Sequence, residues 1–286
     1  MGEETFTSDW LALREPVDHR SRAADLMAPL TEWWGGRPTQ RVLDLGSGTG
    51  SNLRYLAPRL PGEQEWTLVD RDAALLDQAT GTAVAVAGVA RVKRVPGDLD
   101  REGLGLVPGA DLVTASALLD LVTQEWLEQL VATCRAAGNA ALLTLTWDGT
   151  MSWDDPDPDD ALVAEAVRIH QLRDKGMGPA LGPAAGPAAE RAFRVAGYQT
   201  WLRPSPWRLG AADGSLARAL IDGWGTAASE QCPEDAPLIR GWAERRRATA
   251  ARRFGLEVGH VDLLALPASL GAATRSAVDP RSPGAP

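Results

Sequence analysis

The residues best suited to bind a ligand stand where a short apolar run gives way to a glycine-rich turn. Asp44 lies inside the apolar run 42–45, and Gly46, Gly48 and Gly50 follow it. The pattern predicts a buried strand that ends in a tight loop, with a helix beginning directly afterwards. Glycines let the backbone approach a ligand closely, and a helix N-terminus presents N–H groups without a partner. The spacing of the glycines then indicates which ligand.

A dinucleotide-binding fingerprint has the spacing GxGxxG, which would place its third glycine at position 51, where this chain has Ser51. The chain instead has an acidic residue two positions before a GxGxG, in the order Asp44, Gly46, Gly48, Gly50. This motif resembles motif I of the class I S-adenosylmethionine (SAM)-dependent methyltransferases. The resemblance implies that the loop holds the methionine and ribose parts of SAM, with Asp44 near its amino group. A glycine-rich turn without a ligand is the alternative.

Two further aspartates follow the next predicted strands. Asp70 ends the strand of residues 64–69, 26 residues beyond the first aspartate, where a carboxylate can accept both ribose hydroxyls. Asp98 follows the strand 91–95 in a Pro-Gly-Asp-Leu turn. In the family that the chain resembles, the carboxylate of such a turn accepts a hydrogen bond from the adenine amino group, and the next N–H, that of Leu99, pairs with a ring nitrogen. A plain Pro-Gly turn is the alternative.

The resemblance implies a larger set of cofactor-binding residues. Ser116, at the end of the fourth predicted strand, falls where ligands bind in an open α/β sheet. In this fold an N-terminal helical segment often packs over the cofactor site. Arg14, His19, Arg20 or Arg22 could therefore meet the carboxylate of SAM or of an acidic substrate, with a solvated helix face as the alternative. The predicted cofactor-binding residues are Asp44, Gly46, Ser47, Gly48, Gly50, Asn52, Asp70, Arg71, Asp98, Leu99, Ser116 and Arg22.

The acceptor side of the site is predicted from residues that follow the later strands. A general base is needed only if the acceptor oxygen or nitrogen is protonated, and His170 and Asp148 are the candidates for that role. His170 shares one flank of the predicted helix 161–175 with apolar residues, so a satisfied core histidine is the alternative. The candidates for substrate binding are Trp147, Asp120 and Lys175.

Tryptophan is unusually frequent, with 11 residues against two tyrosines and three phenylalanines. Five of them fall in the segments expected around the acceptor: Trp147, Trp153, Trp201, Trp207 and Trp224. They could form a flat or cation-binding pocket, and ordinary core packing is the alternative. The acidic run 154–160 lacks the glycine and the bidentate glutamate of a calcium loop, so we expect no metal.

The elements that must position these residues alternate between strands and helices. We expect an α/β, Rossmann-like fold: a seven-stranded, mostly parallel sheet with helices on both faces, an antiparallel last strand, N-terminal helices, and a helical insertion between strands six and seven. The expected parts are an N-terminal helical segment over the cofactor site (1–38), a SAM-binding methyltransferase domain (39–267, insertion about 210–254) and a disordered tail (268–286). Pro16 is expected in the first turn of a second N-terminal helix.

Composition narrows the class of partner. A net charge of −9 and a pI near 4.9 argue against DNA or another polyanion. The signatures of base-modifying methyltransferases, an Asn/Asp-Pro-Pro-aromatic sequence and a Pro-Cys nucleophile, are missing. We therefore expect a small-molecule acceptor, methylated at oxygen or nitrogen, with neither DNA nor a membrane as partner. A protein or RNA methyltransferase, an NAD-dependent oxidoreductase and a non-catalytic SAM-binding protein are the alternatives. Two isolated cysteines and no apolar run of about 18 residues favour the cytoplasm.

Overall fold

The computed structural model describes residues 6–35, 39–174 and 176–268. The helices in these ranges are α1 (Ser8–Ser21), α2 (Met27–Trp34), α3 (Ser51–Leu56), α4 (Ala73–Ala83), α5 (Leu104–Leu106), α6 (Gln124–Ala137), α7 (Asp160–Gln171), α8 (Ala185–Val195), α9 (Gly214–Gln231) and α10 (Ala236–Ala250). The strands are β1 (Thr39–Leu45), β2 (Glu63–Asp70), β3 (Val89–Pro96), β4 (Leu112–Ser116), β5 (Ala140–Trp153), β6 (Tyr198–Pro204), β7 (Trp207–Leu209) and β8 (Leu256–Pro267).

These strands form one sheet in the order β3-β2-β1-β4-β5-β8-β6, and β7 pairs with β8. The strands β1 to β5 are parallel to one another. The last strand, β8, runs antiparallel to β5, β6 and β7. The expected Rossmann-like fold, with a mostly parallel sheet and an antiparallel last strand, is confirmed. The helical insertion is also present, as α9 and α10 between β7 and β8.

The sheet has one strand more than predicted. The short β7 pairs with the first three residues of β8, beyond the point where β6 leaves that strand. The break falls at Ser205, whose N–H donates to the carbonyl of His260 at 2.7 Å. A strand of three residues is too short to show the alternation that marks longer strands in a sequence.

The middle of the sheet is buried on both faces, as parallel strands between helices require. In β1, Leu43 and Leu45 pack into one apolar cluster and Val42 into the cluster on the opposite face, each at most 1% exposed. A third cluster lies beneath α9 and α10. The ligand-binding candidates thus sit at the end of a strand that the core holds rigidly.

The first helix differs from the expectation for Pro16. Residues 8–21 form one continuous helix with Pro16 inside it, so the prediction that a new helix begins there is wrong. Proline lacks the N–H of one helical hydrogen bond. Side chains around it offset that loss: Arg14 pairs with Asp18, and Glu15 pairs with Arg54 of α3.

Strand β5 is longer than predicted and takes in Asp148, which was expected directly after it. The strand is irregular there, with its pairing to β8 shifted between Trp147 and Met151. Oδ1 of Asp148 accepts the N–H of Thr150 at 2.9 Å. The carboxylate is therefore engaged in the local turn of the strand.

The acidic run before α7 fixes the insertion to the rest of the fold. Arg245 of α10 donates to Asp157 at 2.6 Å, and Arg246 donates to Asp160 at 2.9 Å. The hydrogen bonds from Arg245 lower the pKa of Asp157 to about 2. These carboxylates serve as partners for arginines across two elements.

Helices long and apolar enough to cross a bilayer are not found among the described residues. The predicted disordered tail lies, apart from residue 268, outside the described residues.

Candidate functional site

The carboxyl ends of β1 to β4 open into a cavity of about 500 Å³, and residues of α1 line its opposite wall. Ten of the predicted cofactor-binding residues line this cavity: Asp44, Gly46, Ser47, Gly48, Asn52, Asp70, Arg71, Asp98, Leu99 and Ser116. Ligand sites of open α/β sheets occur at this edge, where parallel strands end together.

The glycine-rich loop follows β1 with three residues in left-handed conformation. The φ angles of Gly46, Gly48 and Gly50 are +65°, +52° and +81°. Residues other than glycine rarely adopt these backbone angles, which accounts for the glycine at each position. The N–H of Ser47 donates to the carbonyl of Val69 at 3.0 Å, so the loop is tied to the neighbouring strand.

Asp44 is buried in the wall of the cavity with only one of its oxygens used. Oδ1 accepts a hydrogen bond from Nδ2 of Asn52 at 2.8 Å, whereas Oδ2 has no hydrogen-bond partner among the described residues. Burial raises the pKa of Asp44 to about 7, although Asn52 and Arg22 favour the charged form. A buried carboxylate oxygen without a donor costs free energy unless a ligand supplies one.

Arg22 lies behind Asp44 and orients the amide of Asn52. Its guanidinium donates to Oδ1 of Asn52 at 3.0 Å, which directs Nδ2 of that residue toward Asp44. Arg22 also stacks on Tyr55, with 4.6 Å to the ring centroid, and its Nε lies 3.5 Å from Oδ2 of Asp262. It is 8% exposed and does not line the cavity. The N-terminal segment thus contacts the start of α3 from behind the cavity.

Asp70, at the end of β2, holds the glycine loop through its side chain. Oδ2 accepts the N–H of Gly48 at 2.8 Å, and Oδ1 accepts the N–H of Asp72 at 3.0 Å. Each carboxylate oxygen has a further lone pair, so both can accept another hydrogen bond. Asp70 therefore shapes the loop and remains able to bind hydroxyl groups.

Asp98 lies farther along the cavity, after β3. Its N–H donates to Oε2 of Glu102 at 2.8 Å. Its exposed carboxylate has no hydrogen-bond partner among the described residues. A Cβ at Gly97 would come within 2.5 Å of Glu102, so glycine allows this tight turn. Leu99 follows in the wall of the cavity.

A strained residue follows β4 at the floor of the site. Ala117 lines the cavity with φ +53°, and its N–H donates to the carbonyl of Thr144 at 2.9 Å. A non-glycine residue in left-handed conformation is uncommon and often marks a functional segment. Ser116, directly before it, faces the same cavity.

The wall formed by α1 contains an ion pair. Arg14 donates from Nε and Nη2 to the two oxygens of Asp18, at 2.9 and 3.2 Å, and both residues line the cavity. Sequence reasoning named Arg14 among several cations but missed Asp18. An arginine and an aspartate four residues apart on a helix were the available signal, although most such pairs lie in solvent.

Several predicted residues do not line the cavity. Gly50 starts α3 behind the loop, and His170 pairs with Glu230 of α9 at 3.1 Å. Asp148 and Trp147 lie along β5 away from the cavity, and Asp120 is buried without lining it. Neither of the two proposed bases, His170 and Asp148, therefore lines the cavity. Lys175 lies outside the described residues.

The five tryptophans expected near the acceptor do not form an aromatic pocket at the cavity. Trp147, Trp153, Trp207 and Trp224 are at most 9% exposed and pack in the apolar cluster beneath the insertion. Trp201 is partly buried against the other face of the sheet. These tryptophans pack in the core, as the alternative interpretation of the sequence expected.

Residues 42–138 match the sequence model of a family described as methyltransferase domain. Among solved structures, the chain is similar to a SAM-dependent methyltransferase from Geobacter sulfurreducens in complex with S-adenosylhomocysteine (SAH), with 18% identity, 92% of this chain and 99% of that chain covered, and a TM-score of 0.45.

Two further solved structures show a similar level of likeness. A SAM-dependent methyltransferase from Thiobacillus denitrificans, also in complex with SAH, is 19% identical over 91% of this chain and 99% of that one, with a TM-score of 0.44. The cyclopropane synthase MmaA2 from Mycobacterium tuberculosis is 10% identical over 91% and 94%, with a TM-score of 0.48. No match was found among curated proteins.

The sheet order and the row of strand-end carboxylates define a Rossmann-like fold with a cavity at the carboxyl ends of its parallel strands. The matched residues 42–138 contain motif I and both later aspartates of the cavity. Residues 42–138 are therefore similar to a methyltransferase domain.

Proposed function

We propose that this protein transfers the methyl group of SAM to an oxygen or nitrogen atom of a small-molecule acceptor. The observation that carries the proposal is the buried, unpartnered Oδ2 of Asp44 in the wall of a cavity of about 500 Å³. That volume is typical of small-molecule sites. An oxygen in this position is suited to accept a hydrogen bond from an ammonium group, such as the one in the methionine part of SAM.

The chemistry of the other cavity residues fits the rest of the cofactor. Asp70 offers a free lone pair on each oxygen for the ribose hydroxyls, and the carboxylate of Asp98 can accept from the adenine amino group. The hydroxyl of Ser47 is a second buried polar group without a partner among the described residues. When bound, SAM supplies an activated methyl group on a cationic sulfur. The protein then has mainly to orient the acceptor and exclude water.

Apolar residues support a small-molecule acceptor. Beyond the cofactor residues, the cavity is lined by Phe6, Leu11, Leu121, Val122 and Met177. The acidic net charge of −9 supports the expectation that nucleic acid is not the partner, and we propose a cytoplasmic enzyme with domain boundaries at 39 and 267.

The test combines cofactor binding with methyl transfer. We expect calorimetry to detect SAM and SAH binding and NAD to leave the melting temperature unchanged. Purified protein with labelled SAM is then added to a cell extract separated into metabolite, protein and RNA fractions. Label in the metabolite fraction is the expected result. Label in protein or RNA would contradict the acceptor class, and binding of SAM without transfer would favour a non-catalytic role.

A further inference from the structure

The ion pair of Arg14 and Asp18 lies in the cavity wall, and neither residue is in the set of predicted cofactor-binding residues. Both residues belong to α1, on the wall opposite the strand ends that carry the cofactor carboxylates. Their side chains are 11% and 10% exposed. Because both line the cavity, a ligand can reach them there.

The position of the pair places it toward the later strands of the sheet. The guanidinium of Arg14 lies 4.9 Å from the ring centroid of Trp207 in β7. It also contributes to lowering the pKa of the buried His260 in β8, after the larger effect of burial. The cofactor carboxylates, by contrast, end β1, β2 and β3. The pair therefore lies on the side of the cavity nearer β7 and β8.

The hydrogen bonds of the pair leave donors and acceptors available. Arg14 donates to other described residues from Nε and Nη2, so its Nη1 can still donate to a ligand. The carboxylate of Asp18 accepts one hydrogen bond on each oxygen and can accept more. A group that both donates and accepts would satisfy the two side chains at once.

The charge of the site selects among acceptor groups. The opposite charges of Arg14 and Asp18 offset each other, so the pair offers no net charge to an ionic group, whereas a hydroxyl can donate to Asp18 and accept from Arg14. The described cavity residues also include six aspartates against three arginines, which disfavours an acidic acceptor. The apolar residues of the cavity, Leu121 and Val122 among them, suit an apolar molecular body.

We infer that the acceptor is an uncharged, largely apolar compound with a hydroxyl group, and that Asp18, held by Arg14, accepts the proton of that hydroxyl. This inference rests on the proposed function. In the transfer, the acceptor oxygen forms a bond to the methyl carbon, and the bond from that carbon to sulfur breaks with its electron pair remaining on sulfur. The hydroxyl proton passes to a carboxylate oxygen of Asp18, so charge and atoms balance.

The environment of Asp18 is consistent with such a role. Burial raises the pKa of Asp18, and Arg14, Arg22 and His19 oppose the shift by favouring the charged form. The carboxylate is thus a stronger proton acceptor than one in water, and its partner holds both oxygens in place.

The test uses three probes of one shape, para-cresol, para-toluate and para-methylbenzylammonium, titrated by NMR and calorimetry into protein saturated with SAH. We expect para-cresol to bind most tightly and Asp18→Asn to weaken its binding at least about tenfold, the scale of one hydrogen bond to a charged group. The matched control is Asp9→Asn, an exposed aspartate of the same helix, which should bind para-cresol like the unmodified protein.

Other outcomes are decisive in the opposite direction. Tighter binding of either charged probe, no binding of para-cresol, or unchanged binding in Asp18→Asn would overturn the inference. If SAH itself does not bind, the proposed function fails first. Should Asp18→Asn not fold because Arg14 loses its partner, Arg14→Met with Asp18→Leu removes both charges together, which buried pairs often tolerate. That double variant should still bind SAH but should no longer bind para-cresol.

Discussion

Asn52 donates from Nδ2 to Oδ1 of Asp44 at 2.8 Å and thereby leaves the other carboxylate oxygen of Asp44 free in the buried wall of the cavity. Arg22 fixes the direction of this hydrogen bond, because it donates to Oδ1 of Asn52 from the far side. The hydrogen bond between Asn52 and Asp44 is thus oriented by the residue at the C-terminal end of α1, 30 residues before Asn52.

The first prediction concerns Asp44→Asn. An asparagine that keeps its oxygen toward Asn52 would place its NH2 group where Oδ2 now lies, so a donor would face the ammonium group of the cofactor. We expect SAH affinity to fall about 10- to 100-fold, the scale of a charged hydrogen bond. Isothermal titration calorimetry measures it. Asp77→Asn, which affects a carboxylate that is 63% exposed on α4, is the control. Equal affinities in the two variants would contradict the assignment of Asp44.

The second prediction is a pH dependence of SAH binding. With its pKa raised to about 7, Asp44 is protonated below that pH and then no longer attracts an ammonium group. SAH affinity should therefore be constant well above pH 7 and fall as the pH decreases through 7. Burial lowers the pKa of His19 beside the loop below its ordinary 6.5, so this histidine titrates at a lower pH than Asp44. A pH series of titrations should show a flat profile in Asp44→Asn, and an unchanged slope in that variant would exclude Asp44 as the titrating group.

The same shift predicts a change in the stability of the ligand-free protein. The folded pKa of Asp44 lies above its ordinary value of 3.8, so the folded state holds the proton more tightly than the unfolded state. The free energy of unfolding should consequently decrease as the pH rises from about 4 to about 7. At about 1.4 kcal/mol per pKa unit, this contribution is about 4 kcal/mol. Urea titrations at several pH values measure it, and Asp44→Asn should show a smaller decrease than the unmodified protein.

The fourth prediction concerns Asp70→Ala. This change removes the acceptor of the Gly48 N–H as well as the oxygens assigned to the ribose hydroxyls. We expect SAM affinity to fall by at least about 100-fold, because more than one hydrogen bond to a charged group is lost. Adenine alone, which lacks the ribose, should lose much less affinity in the same variant. If SAM binds Asp70→Ala as tightly as the unmodified protein, the ribose assignment is wrong.

The fifth prediction compares two glycines that lie close together in the fold. A Cβ at Gly50, where φ is +81°, would lie 3.1 Å from Cβ of Ala79, so Gly50→Ala should destabilise the protein by about 1–2 kcal/mol. Gly81, inside α4, has nothing within 4 Å of the corresponding position. Gly81→Ala should stabilise the protein by about 0.5–1 kcal/mol, because alanine favours the helix. Thermal unfolding measures the change in stability of each variant, and the two changes should have opposite signs.

Local patterns in the sequence determined much of the fold and of the cofactor side. The apolar run around Asp44 with its three glycines predicts a strand, a tight turn and a ligand-binding loop, because these features depend on residues close together in the chain. The same holds for Asp70 and Asp98, which directly follow their strands. The fold is confirmed and the carboxylates line one cavity, because the carboxyl ends of parallel strands meet at one edge.

Only the tertiary structure shows which of the acceptor-side candidates lie at the cavity. His170 satisfied the helical pattern of an inward-facing residue, but α7 turns that flank toward Glu230 of α9. Asp18 was not among the predicted site residues, and it is part of the cavity wall because α1 packs against the cavity. Neighbours in sequence set strands, turns and loops, whereas the direction in which a distant helix packs depends on contacts between residues far apart. The tertiary structure therefore decides which charges reach the cavity.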